Sequence, residues 1–94
     1  MTKLAYWLYI VACADGTYYT GIATDVPRRL LEHNGAKGRG ARYTASRRPV
    51  ALVFKAAFAT RSEALKEEAR IKRLNRSQKQ ALIAAARPLA AMAP

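Results

Sequence analysis

Residues 5–24, AYWLYIVACADGTYYTGIAT, decide the fold. Two runs of aromatic and β-branched residues, 5–12 and 17–24, read as strands, and Ala14-Asp15-Gly16 separates them. A three-residue loop ending in glycine suits a type I turn followed by a left-handed glycine. That loop length sets the register: Cys13 faces Thr17, Val11 faces Tyr19, and Tyr9 and Tyr19 become diagonal neighbours on one face of the hairpin. A two-residue turn would place the two phenols on opposite faces.

Downstream of the hairpin, Asp25 is positioned to cap a helix with Pro27 in its first turn, running to about His33 or Asn34. Arg29 and His33, four apart, share one face of it. Residues 35–48 hold three glycines and five Lys or Arg, and read as a mobile basic loop. They lack the Gly-Lys-Ser/Thr ending of a nucleotide-binding P-loop. Residues 50–58 form a third strand, with Val50, Leu52 and Phe54 alternating against Ala51, Val53 and Lys55. Thr60 and Glu63 make a capping box that opens a helix to about Leu74, and Ser77 with Gln80 opens another that ends near Arg87-Pro88.

The chain of 94 residues has room for one core, so a single domain is expected over residues 1–87, with 88–94 as a flexible tail. Hydrophobic residues make up 51%, enough for that core, yet no run approaches the ~20 apolar residues of a membrane-spanning helix, so no membrane partner is expected. Met1-Thr2-Lys3 leads directly into the aromatic segment without an apolar leader. Cys13, the only cysteine, leaves no intrachain disulfide and no Cys-based zinc cage, and reads as a small core residue. Both features fit a cytoplasmic protein. Seventeen Lys and Arg against six Asp and Glu give a net charge of +11, which draws polyanions by counterion release. Anionic lipid is the weaker partner, because no basic amphipathic segment carries a full apolar face.

Trp7-Leu8-Tyr9 on the first strand, Tyr19-Thr20-Gly21 on the second, Arg29 ten residues after Tyr19, and a later glutamate form an ordered pattern. It resembles the GIY-YIG nuclease superfamily, in particular its small stand-alone bacterial members, over about residues 5–83. The most specific part is residues 19–34, YTGIATDVPRRLLEHN. The resemblance implies an α/β (α+β) fold, a small three-stranded antiparallel sheet flanked by helices, and an activity of metal-dependent phosphodiester hydrolysis with one divalent ion, Mg²⁺ or Mn²⁺, per site.

Phosphodiester hydrolysis needs an activated water and stabilisation of charge on the phosphoryl oxygens. Magnesium takes only one or two protein carboxylates, so one glutamate suffices. Glu68 is the candidate metal ligand: its helical neighbours Ala64, Leu65, Ile71 and Lys72 put it on the inward stripe, and the family's glutamate likewise precedes the Ile71-Lys72 pair. Arg29 matches the family's essential arginine, suited to a phosphate oxygen. Tyr9 and Tyr19 match the paired tyrosines that position or deprotonate the water, with either one as base. His33 matches a position where several members carry histidine, and would orient a tyrosine or hold a phosphate. Arg28, Lys37, Arg39, Arg42, Lys72, Arg73 and Arg76 are candidate nucleic-acid contacts, with Tyr43 as a stacking platform. Gly21 would let substrate or a neighbouring helix approach the strand.

Three departures stand out: Trp7-Leu8 replaces Gly-Ile, Thr20 replaces Ile, and Ile22 stands where some members are polar or basic. Asn75 is a poor match in spacing to the family's later asparagine. The expected function is a weakly sequence-specific endonuclease acting on DNA, ahead of RNA, unless a partner protein supplies targeting; the alternative is a binding module that keeps the fold without useful catalysis.

Overall fold

The computed structural model describes residues 5–35 and 40–92, with side chains described to Ala86. In chain order the elements are β1 (Tyr6–Ala12), β2 (Tyr18–Ala23), α1 (Val26–His33), α2 (Arg42–Ala45), β3 (Ala51–Phe58), α3 (Arg61–Lys72) and α4 (Arg76–Met92). The strands form one antiparallel sheet in the order β2-β1-β3. β1 is central because Leu8, Tyr9, Ile10 and Val11 are apolar in succession, and both its faces are covered. Leu8 and Ile10 pack with Ile71 and Ile83 from α3 and α4, while Tyr9 and Val11 pack on the opposite face with Cys13, Val26 and Val50.

The hairpin has the expected register. Gly16 N donates to Cys13 O and Cys13 N to Thr17 O, and Gly16 takes the left-handed φ of 86° that the turn needs. Val11 pairs with Tyr19, so Tyr9 falls opposite Gly21. On the other side of β1 the expected alternation of β3 fails. Ile10 pairs with Phe54 but Val11 with Leu52, which leaves Val53 as the extra residue of a β-bulge. Leu52 therefore joins the Tyr9 face, whereas Val53, Phe54 and Phe58 all pack on the Leu8 face.

Local caps fix the helix starts. Asp25 accepts from Arg28 N at 3.0 Å, and Thr60 and Glu63 bond reciprocally as a capping box. At the end of α1, the Asn34 side chain bonds both Val50 N and Val50 O, which ties this helix to the start of β3. Two helix boundaries differ from the sequence reading. α4 starts at Arg76, because Asn75 and Gln78 exchange hydrogen bonds of 2.9 and 2.8 Å in place of the Ser77-Gln80 box. The Asn75 amide is thus occupied as a cap. The same helix continues past Arg87-Pro88 to Met92, through an alanine-rich stretch of high helix propensity.

The described part of the basic segment, read in the sequence as loop, contains regular structure. Over residues 40–48 it holds the short α2, with Arg47 bonded to Asp15 at 3.0 Å and to Tyr43 O at 2.8 Å, and Arg48 bonded to His33 O at 2.8 Å. Lys37 and Arg39 lie outside the described residues.

Thr20 faces α3, buried between half-buried Tyr18 and Ile22, and its hydroxyl has no hydrogen-bond partner. A buried unpaired hydroxyl carries its desolvation cost without compensation. Thr20→Val, which keeps the shape and removes the hydroxyl, is expected to raise stability by about 1 kcal/mol. A higher midpoint in urea with an unchanged slope is the measurement that checks it.

Candidate active site

The site is organised by the crossing of Tyr9 over Gly21. A β-carbon at Gly21 would lie 2.7 Å from the Tyr9 hydroxyl and 2.9 Å from the ring carbon that bears it, so the missing side chain is replaced by the Tyr9 ring. The space at Gly21 thus serves Tyr9 itself rather than an approaching helix or substrate. Since Gly21 sits on the edge strand β2, the ring carries the phenol of the central strand out toward that edge.

His33 closes the other side. It ends α1 and is fully buried, with Nε2 2.7 Å from the Tyr9 hydroxyl and Nδ1 2.8 Å from Thr44 Oγ1. The rings of Tyr9 and Tyr19 meet its imidazole edge-on, at centroid distances of 5.7 and 5.2 Å. One helical turn before His33, Arg29 stands close enough for its cation to act on the Tyr9 phenol, and its Nη1 donates to Glu32 Oε1 at 2.9 Å. Glu68 comes from α3, on the stripe between buried Ala64 and Ile71, and its half-buried carboxylate is 3.3 Å from Lys72 Nζ. Because α3 packs against β2 as well as β1, the charge of Glu68 is felt at the Tyr9 phenol. Of the groups singled out in the sequence for chemistry, Tyr9, Tyr19, Arg29 and His33 therefore cluster together, and Glu68 acts on the Tyr9 phenol through its charge.

Burial dominates the proton equilibria. The Tyr9 phenol is pushed up to about 12 by loss of solvent, with Arg29 opposing and the neighbouring Tyr19 and Glu68 adding to the rise. His33 is held down to about 4, first by burial and then by the Arg29 cation, with Glu32 working the other way and Arg48 reinforcing the fall. Both groups are neutral at pH 7.

The other predicted contacts are more dispersed. Arg28 and Arg42 are exposed, and Arg28 lies 3.9 Å from Glu32. Arg73 is exposed at the end of α3. Arg76 bonds Gly16 O and stacks on Tyr18, on the opposite face of the sheet from Tyr9, where it ties α4 to the hairpin. Tyr43 already has two partners, the Tyr19 ring at 5.7 Å and the Arg47 guanidinium at 4.0 Å, both of which a stacking base would have to displace. Two contributors escaped the sequence reading. Glu32 was detectable, since it lies three residues after Arg29 on the same helix. Thr44 was not, because a four-residue helix in a glycine-rich basic segment leaves no periodic signal.

For a divalent ion the donor chemistry is that of a hard cation: one half-buried carboxylate, Glu68, and no cluster of three His, Cys, Asp or Glu among the described residues. One carboxylate with the remaining positions left to water fits Mg²⁺ or Mn²⁺.

Two outcomes are expected from this packing. Gly21→Ala would force the Tyr9 hydroxyl away from His33 at a cost of about 1–3 kcal/mol, read as a lower urea midpoint together with a changed near-ultraviolet tyrosine signal. The buried neutral imidazole makes stability fall with acid: its folded pKa, about 4, lies below the 6.5 of the free group, so its contribution is complete above pH 6.5 and is lost as pH drops toward 4. The loss is on the order of 3 kcal/mol, and urea titrations from pH 7 to 4 should show a shallower decline in His33→Asn than in the wild type.

A search of protein-family models matches residues 5–81 to the GIY-YIG catalytic domain. A UPF0213 protein of Desulfotalea psychrophila is 53% identical over 86% of this chain and 73% of its own, and one of Halobacterium salinarum is 53% identical over 80% and 95%. Among solved structures, a protein of E. faecalis aligns with a TM-score of 0.61 at 40% identity, covering 89% of this chain and 88% of that one. The UPF0213 protein BH0048 of Bacillus halodurans aligns with a TM-score of 0.57 at 41% identity, covering 87% and 85%. With its antiparallel three-stranded sheet, its flanking helices and its paired tyrosines, the chain belongs to the GIY-YIG catalytic domain family, among the UPF0213 proteins.

Proposed function

We propose that this protein is a metal-dependent endonuclease that hydrolyses phosphodiester bonds in DNA with little sequence preference. The observation that carries the reading is the meeting of Tyr9 from β1 with Arg29 and His33 from α1, within the field of Glu68 from α3. A structural cluster has no need of a guanidinium and a carboxylate beside a buried neutral phenol.

Arg29 is placed to bind an oxygen of the scissile phosphate through donors of its planar fork. Tyr9 holds the attacking water against its oxygen. A phenol with a pKa of about 12 is too poor an acid to ionise beforehand, so it takes a proton from water only as it passes its own to His33 Nε2, 2.7 Å away. A phosphate beside Arg29 offsets the cationic field that, after burial, holds the imidazole pKa down, and so makes His33 a better acceptor when substrate is present. Both ring nitrogens of His33 are engaged inside the protein, which favours its orienting role over phosphate binding. Tyr19 walls the imidazole. Glu68 would hold the divalent ion in place of its Lys72 partner, and the ion would stabilise negative charge on the phosphoryl oxygens. Arg28, Lys37, Arg39, Arg42, Lys72 and Arg73 would supply contacts to the phosphate backbone, which carry no base information.

The test is cleavage of plasmid, branched, single-stranded DNA and RNA substrates, with Mg²⁺, with Mn²⁺ and with chelator. Arg29→Ala, Glu68→Ala and Tyr9→Phe are each expected to lower cleavage by about 10²–10³-fold while salt-sensitive DNA binding persists. Tight binding with no cutting of any substrate by the wild type would instead identify a binding module.

A further inference from the structure

Thr44 completes a chain of hydrogen bonds behind the site. It is fully buried; its Oγ1 lies 2.8 Å from His33 Nδ1 and donates to Ala41 O at 3.1 Å. A hydroxyl has one proton, and with that proton on the carbonyl, Oγ1 offers His33 only lone pairs. His33 must then carry its proton on Nδ1, leaving Nε2 as a bare acceptor facing Tyr9. The other end of the chain requires the same polarity. The phenol, 2% exposed, has its own proton to place, and Nε2 at 2.7 Å is the acceptor that takes it. In the opposite tautomer that proton would lose the Nε2 acceptor.

We propose that Thr44 is a positioning residue that locks His33 in the Nδ1–H tautomer and so aims the Tyr9 hydroxyl proton at Nε2. Its consequence for turnover rests on the nuclease reading above; the tautomer itself does not. The direction matters chemically because a proton can move from Tyr9 to His33 only if Nε2 has a free lone pair, and a ring in the wrong tautomer blocks that transfer with every side chain still in place.

His33 is the only histidine in the chain, so after removal of any affinity tag one imidazole gives the whole signal. Long-range ¹H–¹⁵N correlation at pH 7 is expected to show a protonated Nδ1 and an unprotonated Nε2 in the wild type and in Thr44→Ser. Thr44→Val, which keeps the volume and removes the acceptor, should lose that pattern. In cleavage assays Thr44→Val should lower kcat by about 10–100-fold with KM for DNA unchanged, and Thr44→Ser should restore it. A wild-type spectrum with the proton on Nε2 overturns the proposal, as does a Thr44→Val spectrum identical to that of the wild type. Should Thr44→Val not fold, the wild-type and Thr44→Ser spectra still decide. A wild type that cuts nothing yet shows the Nδ1 proton, lost in Thr44→Val, removes the nuclease reading and upholds the tautomer lock.

Discussion

The packing of the Tyr9 ring over the bare backbone of Gly21 is the constraint from which the site follows. A side chain on the central strand of a sheet ordinarily stands perpendicular to it and is covered by whatever packs on that face. Here the neighbour opposite has no β-carbon, and the ring can lie across β2, with its hydroxyl carried toward the edge of the sheet. There it meets His33 and Arg29 from α1 on one face, and feels the charge of Glu68 from α3. The pairing of Tyr9 with Gly21 is in turn set by the three-residue turn at Ala14-Asp15-Gly16. One residue more or fewer would put Tyr9 opposite a different residue and close the route.

Burial without isolated charge is the second feature of the site. Loss of solvent raises the phenol and depresses the imidazole, so both are neutral at rest and their mutual hydrogen bond needs no ionic partner. The ionised groups are each paired nearby, Arg29 with Glu32 and Glu68 with Lys72. Such pairs at partly exposed positions contribute little to stability but hold each charge at a defined place. The cation and the carboxylate are attached to different helices and each has its own partner, instead of neutralising one another.

Local rules made most of the frame legible. The hairpin register followed from loop length, α1 and α3 from their caps, and the inward position of Glu68 from helical spacing. What was missed depends on partners distant in sequence. The bulge at Val53 arises from the pairing of β3 with β1, and nothing in the alternating pattern of residues 50–55 announces it. At the start of α4 the structure uses Asn75 with Gln78 in place of Ser77 with Gln80, and local preference hardly separates Asn75 from Ser77. The bond from Arg76 to Gly16 O and the packing of Leu74 against the core favour the earlier start. Thr44 acquires its meaning only from His33, eleven residues away across a segment with no periodicity.

The departures from the family motif also become intelligible once each is assigned to a face. Leu8, Thr20 and Ile22 all point toward α3 and α4, away from the phenols, where the requirement is volume and not chemistry. Ile22, standing where some members of the family are polar or basic, therefore lies on the opposite face of the sheet from Tyr9. Trp7 is the departure on the Tyr9 side, and it is larger than the glycine it replaces. Its two cross-strand neighbours are Ala23 and Ala57, which leave room for the indole, and Lys55 covers it from 4.9 Å. Bulk at position 7 is thus absorbed within the sheet, whereas opposite Tyr9, where a β-carbon would strike the phenol, the residue is glycine.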